Sequence, residues 1–156
     1  MTVRIRDMGE GDDHVVDALA TAAYGEGFED PAAFAAKVAA GFAVVAELDG
    51  SVVGYGVALP WRGALPDLQD RPAAPVQEPE YLFVHDICVA ADARGAGVGS
   101  ALMRHIEGVA AERGLPEMNC IAVHGAEVLW SRLGWRSSDR LLPSQYPPDS
   151  VPMTRQ

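Results

Sequence analysis

The sequence predicts an α/β domain on a mixed sheet, and three observations carry that expectation. Tyr81 to Val89 is an almost unbroken apolar run, interrupted only by His85-Asp86, which suits a central strand buried on both faces. Ala96 to Arg113 follows as an amphipathic helix, with Val98, Leu102, Ile106 and Val109 on one face. Strand and helix patterns then alternate toward the end of the chain, which implies partly parallel pairing.

The remaining elements follow in order. Val3-Arg4-Ile5-Arg6 alternates as a short strand. Val15, Val16, Leu19, Ala20 and Ala23 recur at helical spacing until Gly25 and Gly27 break the pattern. Asp30-Pro31, a cap followed by proline, opens a second helix with Phe34 and Val38 inward. Phe42 to Leu48 and Ser51 to Leu59 read as strands joined at Asp49-Gly50, a hairpin signal, with Pro60-Trp61 ending the second. From Trp61 to Glu80, Pro66, Pro72, Pro75 and Pro79 break regular structure, so this long loop is expected to be functional or mobile. Met118 to Val123 reads as a strand and Glu127 to Leu133 as a short helix. Another strand follows from Trp135, and an edge strand is expected at Val151 to Arg155 in a proline-rich tail. The sum is about six or seven strands flanked by about four helices in one domain, residues 1–156.

Composition sets the outer limits. Hydrophobic residues make up 49% and charged residues 22% of the 156, an ordinary globular balance. The net charge of −10 argues against nucleic acid as a partner, because phosphate neutralisation needs clustered cations. It favours a cationic substrate. No apolar run approaches the roughly 20 residues of a membrane span, and the first ten residues hold no signal-peptide core. The two cysteines, Cys88 and Cys120, lie in apolar runs, which suits a reduced, cytoplasmic setting. No base or cation neighbours either one in sequence. The four histidines show no metal-ligand spacing, so no metal is expected.

The most informative segment is Arg94-Gly95-Ala96-Gly97-Val98-Gly99-Ser100, between the buried strand and the strong helix. Glycines let the backbone turn sharply and approach a ligand. Free N–H groups at a helix start make an anion site, and Arg94 adds a cation. A pyrophosphate fits such a turn. The dinucleotide fingerprint fails at Ser100 and Leu102, and the P-loop fails for want of a lysine. The residues alone leave a ligand-free tight turn as the alternative.

Arg94-x-x-Gly97-x-Gly99 after Ile87-Cys88-Val89 resembles motif A of the GNAT (GCN5-related) N-acetyltransferases. Leu129-Trp130-Ser131-Arg132-Leu133-Gly134-Trp135 resembles their C-terminal motif B, and the element order matches along nearly the whole chain. A closer resemblance is to bacterial members, through Gly54-Tyr55 with Pro60-Trp61, Val84-His85-Asp86-Ile87-Cys88-Val89 and Leu129-Trp130.

The resemblance implies an acyl-CoA cosubstrate, usually acetyl-CoA. Backbone N–H groups of Gly95, Ala96, Gly97, Val98, Gly99 and Ser100, with Arg94, would hold its pyrophosphate. The strand edge at Ile87, Cys88 and Val89 would pair with its pantetheine arm, and an N–H near Ile87 would polarise the thioester carbonyl. Trp130 stands where many members carry a tyrosine acid, and indole cannot serve as one, so either no side-chain acid is used or Ser131, Tyr24 or Tyr146 substitutes. Packing against the CoA arm is the expected role of Trp130, with plain core packing as the alternative. His85 would be the general base, since imidazole titrates near neutrality, at an offset where some members carry a catalytic histidine. A structural histidine is the alternative. Asp86 would point to the opposite face of a regular strand, unless a bulge redirects it.

The implied reaction is direct attack by a small-molecule or peptide amine on the thioester. The acceptor is expected between the Tyr24–Glu29 connector and the 61–80 loop, near Tyr24, Glu26, Glu29, Trp61 and Asp67. The competing reading is a CoA-binding or ligand-sensing module that keeps the fold without efficient catalysis. The chain is expected to act as a monomer or homodimer, with neither nucleic acid nor membrane as partner.

Overall fold

The alternating start of the chain becomes β1 (Val3–Asp7), which pairs antiparallel with β2 (Phe42–Leu48). Helices α1 (Asp13–Tyr24) and α2 (Pro31–Ala40) lie between them in sequence. The Asp30 carboxylate accepts the Ala32 N–H and caps α2 one residue before Pro31. In the computed structural model, which describes residues 2–156, Asp49 and Gly50 form a two-residue turn with φ of 52° and 83°. Positive φ at both positions matches the strand twist, so β2 turns directly into β3 (Ser51–Trp61).

β4 (Tyr81–Val89), α3 (Val98–Glu112), β5 (Met118–Ala122), α4 (Glu127–Arg132), β6 (Arg136–Ser137) and β7 (Val151–Arg155) complete the order. The seven strands of the described residues form one sheet, β1-β2-β3-β4-β5-β7-β6, parallel only between β4 and β5. Helices α1 and α2 cover one face, where Val16, Leu19 and Phe34 pack on Val45, Tyr55, Val57 and Cys88. On the other face, Val98, Leu102 and Ile106 of α3 pack on Val44, Ala46, Ala58 and Val84. A Cβ on Gly54 would lie 2.9 Å from the Cys88 carbonyl and 3.1 Å from Val98, so glycine lets α3 settle close against β3. Among the described residues no helix is long and apolar enough to cross a membrane.

Two expectations are corrected. β3 does not stop at Leu59 but continues through Pro60 and Trp61, opposite Leu82 and Tyr81. The Leu82 N–H points away from β3 to the Glu117 carbonyl, so its partner Pro60 likewise faces away from β4. On that outer side β2 has already ended at the Phe42–Ala58 pair, and the missing proline N–H breaks no ladder bond. β7 is not an edge strand: the two residues of β6 pair along its outer side. The 62–80 loop is tied down rather than loose. Leu65 and Leu68 are buried, and Gln69 bonds to the backbone of Phe28 and Asp30 and to the Gln145 side chain.

Candidate functional site

A β-bulge sets the site. In the β3–β4 register Val57 faces Asp86 and Ala58 faces Val84, so His85 is the extra residue. Val84, Ile87 and Val89 pack on the α3 face, while Phe83 and Cys88 pack on the α1–α2 face. The inserted residue breaks the alternation, and His85 and Asp86 both turn toward α1 and α2. Asp86 is therefore not on the opposite face. Together they line a cavity of about 370 Å³ between these helices, β4 and β5.

Each side chain has a defined partner. His85 Nε2 lies 2.9 Å from Glu29 Oε1. A carboxylate only accepts, so Nε2 carries a hydrogen, and in the neutral imidazole Nδ1 then presents a lone pair. That Nδ1 is buried and has no hydrogen-bond partner among the described residues. The second oxygen, Glu29 Oε2, accepts from Lys37 Nζ at 2.9 Å. Lys37 is fully buried and also donates to the carbonyls of Leu68 (2.7 Å) and Asp70 (3.1 Å). Burial raises the Glu29 pKa, but the hydrogen bond and charge of His85, then Lys37, outweigh it and hold the carboxyl below its usual range.

Asp86 accepts from the hydroxyls of Tyr24 and Tyr55, each at 2.5 Å. Burial pushes its pKa up, and His85 and the two tyrosines offset this only in part. Burial, then the Asp86 charge, raises both tyrosines well above their ordinary value. Burial pushes the Cys88 thiol up to about 12, which keeps it from serving as a thiolate nucleophile.

A second feature lies behind the cavity. β4 and β5 pair only at Leu82–Met118 and Phe83–Asn119, then diverge. Ala90 donates to the Val53 carbonyl, so Cys88 also faces β3, whereas Ile87 and Val89 present N–H and C=O to the gap. The glycine turn closes the far end. Gly95 and Gly97 have φ of 87° and 82°, and Gly97 caps α3. The first intrahelical bond runs from Ala101 to the Gly97 carbonyl, leaving the N–H groups of Val98, Gly99 and Ser100 outside the helix ladder. No acid occupies that first turn. The exposed Arg94 stands beside it. Glycine backbone, free donors and an unpaired strand edge fit the pyrophosphate and amide groups of a CoA molecule.

Tyr24 lines the cavity with His85, while Glu26 and Trp61 do not. Glu26 is exposed on the connector. Trp61 packs with Leu59, Leu65 and Tyr81, and its indole donates to the Ala64 carbonyl. Trp130 sits in the core edge-to-face with Trp135, ring centroids 4.9 Å apart. Lys37 and Tyr55 escaped the choice of site residues, whereas Glu29 and Tyr146 line the cavity. Lys37 left a signal, as a lone charge within the apolar Pro31-Ala-Ala-Phe-Ala-Ala-Lys-Val-Ala-Ala segment.

The chain belongs to the acetyltransferase (GNAT) family, whose model matches residues 14–135. No curated protein matches it in sequence. Solved structures share the fold at low identity. The loading GNATL domain of CurA from Lyngbya majuscula has a TM-score of 0.79 at 13% identity, over 99% of this chain and 97% of that one. Arabidopsis thaliana Naa50, in complex with the bisubstrate analogue CoA-Ac-MVNAL, has a TM-score of 0.74 at 14% identity, over 100% and 99%. A phosphinothricin acetyltransferase from Sinorhizobium meliloti, in complex with acetyl-CoA, has a TM-score of 0.68 at 20% identity, over 99% and 88%.

Proposed function

We propose that this protein is an N-acyltransferase that moves acetyl from acetyl-CoA to a primary amine by direct attack. The supporting observation is that the β4–β5 gap and the cavity meet at one strand, with His85 between them. Acetyl-CoA supplies the acyl thioester. The N–H groups of Val98, Gly99 and Ser100, with Arg94, bind its pyrophosphate, and the edge at Ile87 and Val89 pairs with its arm. The Ile87 N–H polarises the thioester carbonyl.

His85 Nδ1 takes the proton of the attacking amine. A new N–C bond forms, the C–S bond breaks, and its electron pair leaves with the sulfur. Glu29 holds the imidazole with Nδ1 as acceptor, the orienting role a carboxylate plays in other histidine-based sites. Trp130 has no acid to offer, and a thiolate is a good leaving group. The His85-Asp86 pair and Trp130 support a likeness to bacterial members of similar motif. The two free, buried cysteines fit a cytoplasmic enzyme.

The test combines two readings. CoA should raise the melting temperature, and acetyl-CoA with an amine panel should release thiol. Stabilisation without thiol release would favour a binding module, and neither result would end the assignment.

A further inference from the structure

The cavity has a one-sided charge, and that restricts its occupant. Besides His85 and the tyrosines, its ionisable lining groups are all carboxylates: Asp13 and Asp17 on the exposed face of α1, Glu29, and Asp86 on β4. Lys37 answers Glu29 from behind, while Asp86 has only two hydroxyls. Two polar atoms of lining residues, His85 Nδ1 and the Tyr146 hydroxyl, are buried without a partner among the described residues. The Tyr146 residue is only 6% exposed. Buried polar groups are normally hydrogen-bonded, so these two point to a ligand carrying N–H donors. Apart from Thr21, the rest of the wall is apolar, including Val16, Phe34, Leu68 and Ile121. Tyr24 stacks on Phe28 at 5.3 Å between centroids, forming an aromatic flank.

We propose that the occupant is a primary amine on an aromatic or branched aliphatic body that carries no carboxylate or other anionic group. The proposal rests on the acetyltransferase reading for the occupant's fate. An ammonium is drawn to Asp13 and Asp17 at the rim. Inside, the amine donates to the Tyr146 oxygen and gives its proton to His85 Nδ1, while its body buries apolar surface on the walls. A carboxylate beside the amine would lose its water without meeting a cation, and would face Asp86 and Asp17 as like charge. The volume of about 370 Å³ lies at the low end of the roughly 300–1,000 Å³ typical of small-molecule sites, which suits a compact amine.

Paired substrates test this on the full chain. Thiol release from acetyl-CoA is followed with phenethylamine against phenylalanine and with isopentylamine against leucine, at one pH. The kcat/KM should favour each decarboxylated amine by on the order of 100-fold. Equal or better use of the amino acids would overturn the proposal. Calorimetry with phenethylamine and phenylalanine, without acetyl-CoA, separates this from failure of the transferase reading. If CoA neither binds nor is consumed, selective binding of phenethylamine still upholds the cavity assignment, and equal binding or none overturns it. Thr21→Arg places a cation at an exposed lining position of α1. It should shrink the amine preference at least about tenfold; an unchanged preference would remove lining charge as its source.

Discussion

One carboxylate, Glu29, joins His85 to Lys37: its two oxygens lie 2.9 Å from His85 Nε2 and 2.9 Å from Lys37 Nζ. The chain runs from the cavity wall through the connector to α2, and on to the Leu68 and Asp70 carbonyls of the 62–80 loop. His85, the proposed base, and the loop that walls the cavity are thus held by one set of buried contacts. His85→Ala should lower kcat/KM by about 10²–10⁴ and remove the acidic limb of its pH profile. A loss under about tenfold with that limb intact would hand the proton to water.

Glu29→Gln tests the carboxylate through stability. Its pKa is held below the ordinary value, against burial, by His85 and Lys37. Such a group stabilises the fold above its unfolded pKa of about 4.3, and this is lost as pH falls through the lower folded value. The stability difference between wild type and Glu29→Gln should therefore be widest near neutrality and shrink below about pH 4.3. A difference that does not vary with pH in chemical denaturation would mean that the charge contributes nothing.

Lys37→Met keeps much of the side-chain volume but leaves Glu29 and two carbonyls without their donor. Breaking a buried pair from one side costs about 3–5 kcal/mol. Denaturation midpoints should fall accordingly, and the 62–80 loop should lose hydrogen-exchange protection before the sheet does. Equal loss in both would show that Lys37 supports the core rather than the loop.

The glycine turn gives a separable prediction. At Gly97, φ is 82° and an added Cβ meets nothing within 4 Å, so Gly97→Ala costs backbone strain alone, about 1–2 kcal/mol. Gly99 has ordinary φ, and its added Cβ meets only Val89, at 3.8 Å. Gly99→Leu should leave the fold nearly intact while projecting a branched side chain beside the free N–H groups. Thermal stabilisation by CoA should then largely vanish in Gly99→Leu. Full stabilisation in that variant would place the pyrophosphate elsewhere.

The sequence revealed those parts of the site that depend on neighbours in the chain. The bounds of β4 follow from its apolar run, and the Asp49-Gly50 turn and the glycine turn carry their own backbone demands. The bulge at His85 was not legible, because it exists only in the register of β4 against β3. The same holds for the Glu29–His85 contact, whose partners lie 56 residues apart. Trp61 shows the opposite failure: an aromatic near a loop suggests a binding wall, yet its indole closes a local turn to Ala64.

Trp130 tests whether the departure of its motif from the common tyrosine is structural. The residue is 9% exposed, and its ring packs edge-to-face on Trp135 within the cluster of Met103, Cys120 and Met153. Trp130→Ala should therefore destabilise the fold by about 3–5 kcal/mol through the cavity it leaves. Trp130→Phe keeps a ring against Trp135 and should retain most activity at a smaller stability loss. Trp130→Tyr restores the hydroxyl that the commoner family pattern would use. With this position packed on Trp135, kcat is expected not to rise. A marked gain in kcat for Trp130→Tyr, with folding and CoA affinity unchanged, would show that this position reaches the reaction after all. A collapse of kcat in Trp130→Phe with the fold intact would refute the packing role itself.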